Sequence, residues 1–347
     1  MMSDKAKKTL GTVLFVLVNV GVIAVTAYLE FSKGARRAEY IPFLGLNFRF
    51  LFAAAACLAV MIGAEILKYM LMMKKAAGAA SFKTAFRVVV IGRYYDFITP
   101  FSAGVQPFQM RILSKSGFGT GASVSMPIVS FLVSHTAFMF IATAVFVFGS
   151  RFVPSPAVRI TAWLGLLFYM SIPIAVSVFT VAPRVTEKVL CFFVSLFHKL
   201  RLIKDAPAAE KKVVSALCDY REAVSAMIRT PRLFLKLFGL SLVYHFALYS
   251  LPFFVLRTFG GAATFIESFC ICVFIYAAIS FAPTPGNSGA AEGSFYALFS
   301  SLTANYLFWA MLVWRFFCYY SYLLIGGVTL AVSAVSAKKY SDTEVKQ

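Results

Sequence analysis

Ala282-Pro283-Thr284-Pro285-Gly286-Asn287-Ser288-Gly289-Ala290-Ala291-Glu292-Gly293 decides how this chain is read. The stretch lies between two apolar runs, yet its prolines and glycines cannot continue a helix. Irregular backbone at membrane depth leaves N–H and C=O groups unpaired, and it is tolerated only where protein or a water-filled cavity surrounds it. Glu292 stands just beyond the break, near the start of the next apolar helix. A carboxylate there suits the positive end of the helix dipole. As an ionisable group within the membrane it also marks a candidate site.

Working outward, the break has a second copy. Thr99-Pro100-Phe101-Ser102-Ala103-Gly104 and Thr284-Pro285-Gly286-Asn287-Ser288-Gly289 both read Thr-Pro-x-x-x-Gly, 185 residues apart. The same offset carries the apolar segment at about 49–73 onto 234–258, and that at about 121–148 onto 306–333. Three features in one register predict two structural repeats, about 49–148 and 233–335, each a helix, a broken hairpin and a helix. Transporter folds built this way hold their sites where broken helices meet. The plainer alternative is two unrelated Thr-Pro loops between ordinary spans.

Composition supports a membrane setting. Apolar residues make up 60% of the chain and the mean hydropathy is +0.81. Several segments exceed the length needed to cross a bilayer. Residues 1–347 therefore read as a single all-α, polytopic membrane domain. The formal net charge of +19 comes from lysines and arginines that flank apolar segments. Anionic lipid headgroups are the partners this implies, and no nucleic-acid-binding pattern is present. The six cysteines show no C-x-x-C and no Cys/His pairing, so neither a disulfide framework nor a metal site is expected. No cofactor is implied.

Along the chain, Lys5, Lys7 and Lys8 precede an apolar run over 10–31, read as an uncleaved first span, with a signal peptide as the alternative. The second span, about 49–73, contains Glu65 and Lys68 at i, i+3; an internal ion pair is weighed there against a site role. The hairpin at 82–116 carries Arg93, Asp96, Gln106, Gln109 and Arg111, too many polar groups to face lipid. His135 in the third span reads as a helix–helix hydrogen bond or a proton relay. The fourth span covers about 160–181. The basic stretch 183–232 contains Val189–Phe197, an amphipathic surface helix or part of a solvated helical hairpin. A fifth span at 233–256, a second hairpin at 264–301 and a last span at 306–333 with Arg315 inside complete the chain.

Basic residues concentrate at the N-terminus, 74–87, 183–232 and the tail, whereas the connections at 32–48, 149–159 and 257–263 hold few. Both termini are then cytoplasmic. Six spans and two re-entrant hairpins satisfy this count. The hairpins enter from opposite faces, which makes the repeats inverted.

Thr99-Pro100 through Gly104, Pro107, Arg111-Ile112-Leu113 with Gly117, then Pro283-Thr284-Pro285-Gly286 through Gly289 and Glu292, and Arg315 with its Tyr-rich helix carry a resemblance. The chain resembles the transmembrane, flippase-like domain of lysylphosphatidylglycerol synthases over nearly its whole length. Val105-Gln106 and Asn287-Ser288 stand where the family often has Gly-Gly. These departures bear on the substrate more than on the fold. The resemblance implies lipid translocation between the leaflets of the cell membrane. Synthase members carry a soluble aminoacyl-transferase domain after the membrane part; this sequence ends at Gln347, so synthesis of the modified lipid by that route is not expected. The partners it implies are membrane lipids, anionic phospholipid first, with room for a second copy of the chain and a separate lipid-modifying enzyme.

Arg93, Arg111 and Arg315 are candidates to hold a phosphate, since guanidinium matches its geometry. Asp96 and Glu292 would balance them or recognise an amine. Thr99, Pro100, Gly104 and Gln106, with Thr284, Pro285, Gly286, Asn287, Ser288 and Gly289, would line the two tips. All five charges are expected to converge on one wet, net positive cavity. The alternatives are a membrane-embedded enzyme on a lipid-linked substrate, for which no catalytic cluster is visible, and a secondary transporter of a small polar solute.

Overall fold

The computed structural model describes residues 45–99, 104–153, 156–181, 229–280, 284–300 and 306–344, with scattered single positions between them. The side chains of 157, 158, 172–181 and 334–344 are outside the description. Within these bounds every regular element is helical.

Helix α1 (Phe48–Ala77) is 30 residues long. It ends where Gly78 turns left-handed and returns its N–H to the Lys74 carbonyl. Lys74 and Lys75 sit at the negative end of its dipole. Helices α2 (Phe82–Ile98) and α3 (Val105–Lys115) form a hairpin. The Ser81 hydroxyl starts α2 by accepting the Thr84 N–H at 3.3 Å. Helix α4 (Thr120–Phe148) follows, then α5 (Pro156–Val181). Helix α6 (Pro231–Thr258) begins the second half of the described chain. A second hairpin pairs α7 (Phe265–Ala278) with α8 (Ala290–Phe299), joined through a short 3₁₀ turn at Pro285–Asn287. A reciprocal Thr264/Glu267 capping box opens α7, which gives Glu267 a structural task. Helix α9 (Leu307–Arg315) runs through a π-helical segment, Phe316–Tyr320, into α10 (Ser321–Glu344).

Length separates two kinds of helix. Among the described residues, Phe48–Ala77, Thr120–Phe148, Pro231–Thr258 and Leu307–Ser333 are long and apolar enough to cross a membrane. The hairpin arms hold 17, 11, 14 and 10 residues. At 1.5 Å per residue they rise roughly 15–26 Å, short of a hydrocarbon core of about 30 Å. Helix α5 occupies the place of the expected fourth span. The expected first span at 10–31 and most of the 183–232 stretch lie outside the described residues.

The two long helices α1 and α6 make the most extensive packing, along each other, and one arm of each hairpin lies against them. Helix α2 lies against α1 and α10, and α7 against α6, α5 and α4. The 285–287 turn of the second hairpin touches α2 of the first. Gly326 makes one of these approaches feasible: a Cβ there would meet Tyr94 Cβ at 2.6 Å and the Val90 carbonyl at 2.7 Å. Small residues let membrane helices close on one another in this way.

Candidate functional site

Three of the four residues Gly286, Asn287, Ser288 and Gly289 take positive φ, at +59° (Gly286), +55° (Asn287) and +88° (Gly289). Glycine and asparagine are the residues that tolerate this region, so the sequence itself prescribes the break. The Thr284 hydroxyl donates to the Ser288 carbonyl at 2.8 Å and closes the loop. A Cβ on Gly286 would run into the Tyr319 ring.

The second tip is fastened by charge. Arg315 Nε donates to Glu292 Oε1 at 2.6 Å. Arg315 Nη2 donates to the Gly286 carbonyl at 3.2 Å and to Ser288 Oγ at 3.4 Å. Glu292 Oε2 accepts the Gly289 N–H at 2.7 Å, satisfying a donor at the start of α8. The guanidinium carbon lies 4.6 Å from the Tyr319 ring centre. Both partners are almost fully buried, with side-chain exposures of 5% and 3%.

The first tip is fastened by its threonine. The Thr99 hydroxyl donates to the Tyr95 carbonyl at 2.6 Å and accepts the Gly104 N–H at 2.9 Å. Pro100 lies outside the described residues. Buried Gln109 packs on Gly92 and reaches the Val88 carbonyl at 3.5 Å, which locks the two arms together. Gln106 is half-buried on the same arm. The ring of Phe97, two residues before Thr99, lies tilted at 4.9 Å from that of Tyr319, the ring that meets both Gly286 and Arg315.

Four of the five charges form two ion pairs, one at each hairpin. Arg315 is paired with Glu292, as expected, but Asp96 is taken by Arg93 at 2.9 Å on the same helix. Arg111 is exposed on α3, because eleven residues of helix turn it to the outer side of the hairpin. Neutralisation is therefore local, each hairpin supplying its own counter-charge. The Arg93–Asp96 pair keeps side-chain exposures of 26% and 10%, and Arg93 faces the Tyr244 ring of α6 at 5.1 Å.

A third pair stands behind these. Lys68 Nζ lies 2.8 Å from Glu65 Oε1, within α1 and fully buried. It donates further to Ser134 Oγ of α4 at 2.8 Å and Ser241 Oγ of α6 at 3.2 Å. The i, i+3 spacing announces the ion pair, but nothing in the sequence announces Ser134, Ser241 or Tyr244 as neighbours. Tyr319, by contrast, lies four residues after Arg315, one turn along the same face. Among the described residues no three His, Cys, Asp or Glu side chains come together as metal ligands would.

The family model described as the lysylphosphatidylglycerol synthase TM region matches residues 8–326, which include both hairpins and the Arg315 clamp. A UPF0104 membrane protein of Archaeoglobus fulgidus is 26% identical over 266 residues, covering 74% of this chain and 78% of its own length.

Proposed function

Since the chain belongs to the lysylphosphatidylglycerol synthase TM region family, we propose that it is a lipid flippase-like protein of the cell membrane that moves an anionic phospholipid or lipid-linked headgroup between leaflets. In this reading the protein has six spans and two re-entrant hairpins related as an inverted repeat, with both termini cytoplasmic. The arms too short to cross a bilayer and the contact between the 285–287 turn and α2 support that arrangement.

One observation carries the reading. Of the three ion pairs among the described residues, Arg93–Asp96 alone keeps its cation appreciably open, and it sits in the arm that meets the opposite hairpin's tip. A headgroup passing the hairpins would find there a guanidinium held over an aromatic face. Arg315 and Glu292 have a different part: they hold the break in shape.

Purified protein in vesicles with a fluorescent phosphatidylglycerol in one leaflet tests this, by the fraction quenched from outside over time. The protein should speed exchange over empty vesicles. Arg93→Met should slow it about ten- to a hundredfold, the rate equivalent of one charge-assisted hydrogen bond. Lipid that stays in its leaflet ends the reading. A change in the lipid's mass would mark an enzyme instead, and solute uptake without lipid movement a solute carrier.

A further inference from the structure

The Glu65–Lys68 pair has no part in the hairpins, yet its cation is completely buried, with a side-chain exposure of 0%. A buried ion pair is poor evidence for stability, because desolvation cancels most of the attraction and apolar replacements often do as well. Its position needs another account. Of the three donors of Lys68, two are satisfied by the Ser134 and Ser241 hydroxyls, while its charge faces Glu65 Oε1 at 2.8 Å. The ammonium therefore stays solvated by hydroxyls whether or not Glu65 is charged. Glu65 also interacts electrostatically with Arg93, across the α1–α2 contact.

Charge arithmetic then links the two pairs. Lys68 and Arg93 are cations, Glu65 and Asp96 anions, and together they sum to zero. A phosphodiester headgroup at Arg93 would add an unmatched negative charge in a low-dielectric region. One proton restores neutrality. The titratable and charged groups facing Glu65 are Lys68 and Tyr69 on α1, Arg93 on α2, Tyr244 and His245 on α6, and Tyr322 on α10; behind them Asp96 faces Arg93, His135 of α4 faces Lys68 and Arg93, and Cys318 faces Tyr244 and Tyr322. Each histidine donates its Nδ1–H to its own helix, His135 to the Phe131 carbonyl and His245 to the Ser241 carbonyl. Protonating either would create a further buried cation, whereas protonating Glu65 removes a buried charge, the less costly change. Among the described residues Asp96 is the only carboxylate in an ion pair with Arg93, so losing its charge would leave that guanidinium without its anchor between cycles.

We propose that Glu65 is a proton-binding site, and that one proton binds there with each anionic phosphodiester headgroup, which makes lipid movement proton-coupled and electroneutral. The proposal rests on the translocator reading but concerns a separate side chain and is read by a separate signal. The bond change is simple: the carboxylate gains a proton from water, the Glu65–Lys68 attraction weakens, and Arg93 loses a competing anion.

The test uses the whole protein with two readouts. In weakly buffered detergent solution, a pH dye follows proton uptake when short-chain phosphatidylglycerol is added, with phosphatidylcholine of equal chain length as the neutral control. In vesicles, an internal pH dye and the quenching assay follow protons and lipid together. The wild type should take up about one proton per bound anionic lipid and none with the neutral control. An acid gradient should accelerate the anionic lipid alone. Glu65→Gln, which mimics the protonated state, should bind and move the anionic lipid without proton uptake or response to the gradient. Lipid exchange without proton uptake in the wild type overturns the proposal and leaves the translocator reading standing; proton-linked binding without exchange overturns the translocator reading, and proton-coupled movement with it, and leaves only the proton-linked lipid site. Retained uptake in Glu65→Gln, or its loss in Asp96→Asn with uptake kept in Glu65→Gln, also overturns the assignment. If Glu65→Gln does not fold, the wild-type contrast between anionic and neutral lipid still decides the coupling, and Asp96→Asn decides the assignment: uptake lost there overturns Glu65 as the site, and uptake kept supports it.

Discussion

At the scale of single residues, Arg315 illustrates how a site charge becomes a structural one. An arginine inside an apolar run predicts a partner or a wet cavity. The partner is Glu292, and the remaining donors fasten the Gly286 carbonyl and Ser288 hydroxyl. Arg315→Met would leave a buried carboxylate uncompensated, a loss of about 3–5 kcal/mol for a buried pair. Its melting temperature in detergent should fall well below that of Glu292→Gln/Arg315→Met, where no lone charge remains. Equal melting of the single and double variants would show that the pair contributes nothing. Lysine at 315 should not substitute, because one ammonium cannot reproduce the planar fork that serves Glu292 and the loop together. Gly286→Ala combines a positive φ with a collision at Tyr319, and should lower stability by about 1–3 kcal/mol. A wild-type melting curve for that variant would mean that the turn relaxes freely.

At the scale of elements, the breaks were legible and the partners were not. Thr-Pro-x-x-x-Gly located both hairpin turns because proline, glycine and a threonine hydroxyl act within a few residues of themselves. The long helices were legible from hydropathy and length. The register of α3 was not: an eleven-residue helix presents Arg111 outward and Gln109 inward, and only the neighbouring Gly92 explains which. Asp96 went to Arg93 rather than Arg315 because a same-helix partner at i+3 is already in reach. Contacts such as Lys68 with Ser241, 173 residues apart, leave no trace in local pattern. The α2–α10 approach is of the same kind, since it depends on Gly326 lying over Tyr94. Gly326→Leu should push these helices apart and cost about 1–3 kcal/mol by overpacking. The neighbouring Gly327, whose Cβ would have ordinary contact with Tyr94 at 3.7 Å, should accept alanine at little cost. Comparable losses at both positions would count against the close approach.

At the scale of the whole molecule, the proposed inverted arrangement stands or falls with orientation. In the proposed orientation, which follows the lysine and arginine bias, the 183–232 stretch is cytoplasmic and the connection between α4 and α5 is outside. One helix, α5, separates these regions. If it crosses the bilayer, Arg151→Cys and Lys211→Cys must lie on opposite sides. Arg151 is exposed in the short 3₁₀ turn that follows α4 and should accept a thiol reagent readily. A membrane-impermeant maleimide added to intact cells should label Arg151→Cys and spare Lys211→Cys; opening the membrane should make both reactive. The background is a variant lacking Cys191 and Cys218, because both native thiols fall in the same basic stretch as Lys211. Labelling of both positions from outside would show that α5 does not cross. Labelling of Lys211→Cys alone would reverse the molecule. Reversal preserves the opposed entry of the two hairpins, since both flip together. A non-crossing α5 removes it: the two Thr-Pro tips would then enter from one face, and the repeats could not be inverted.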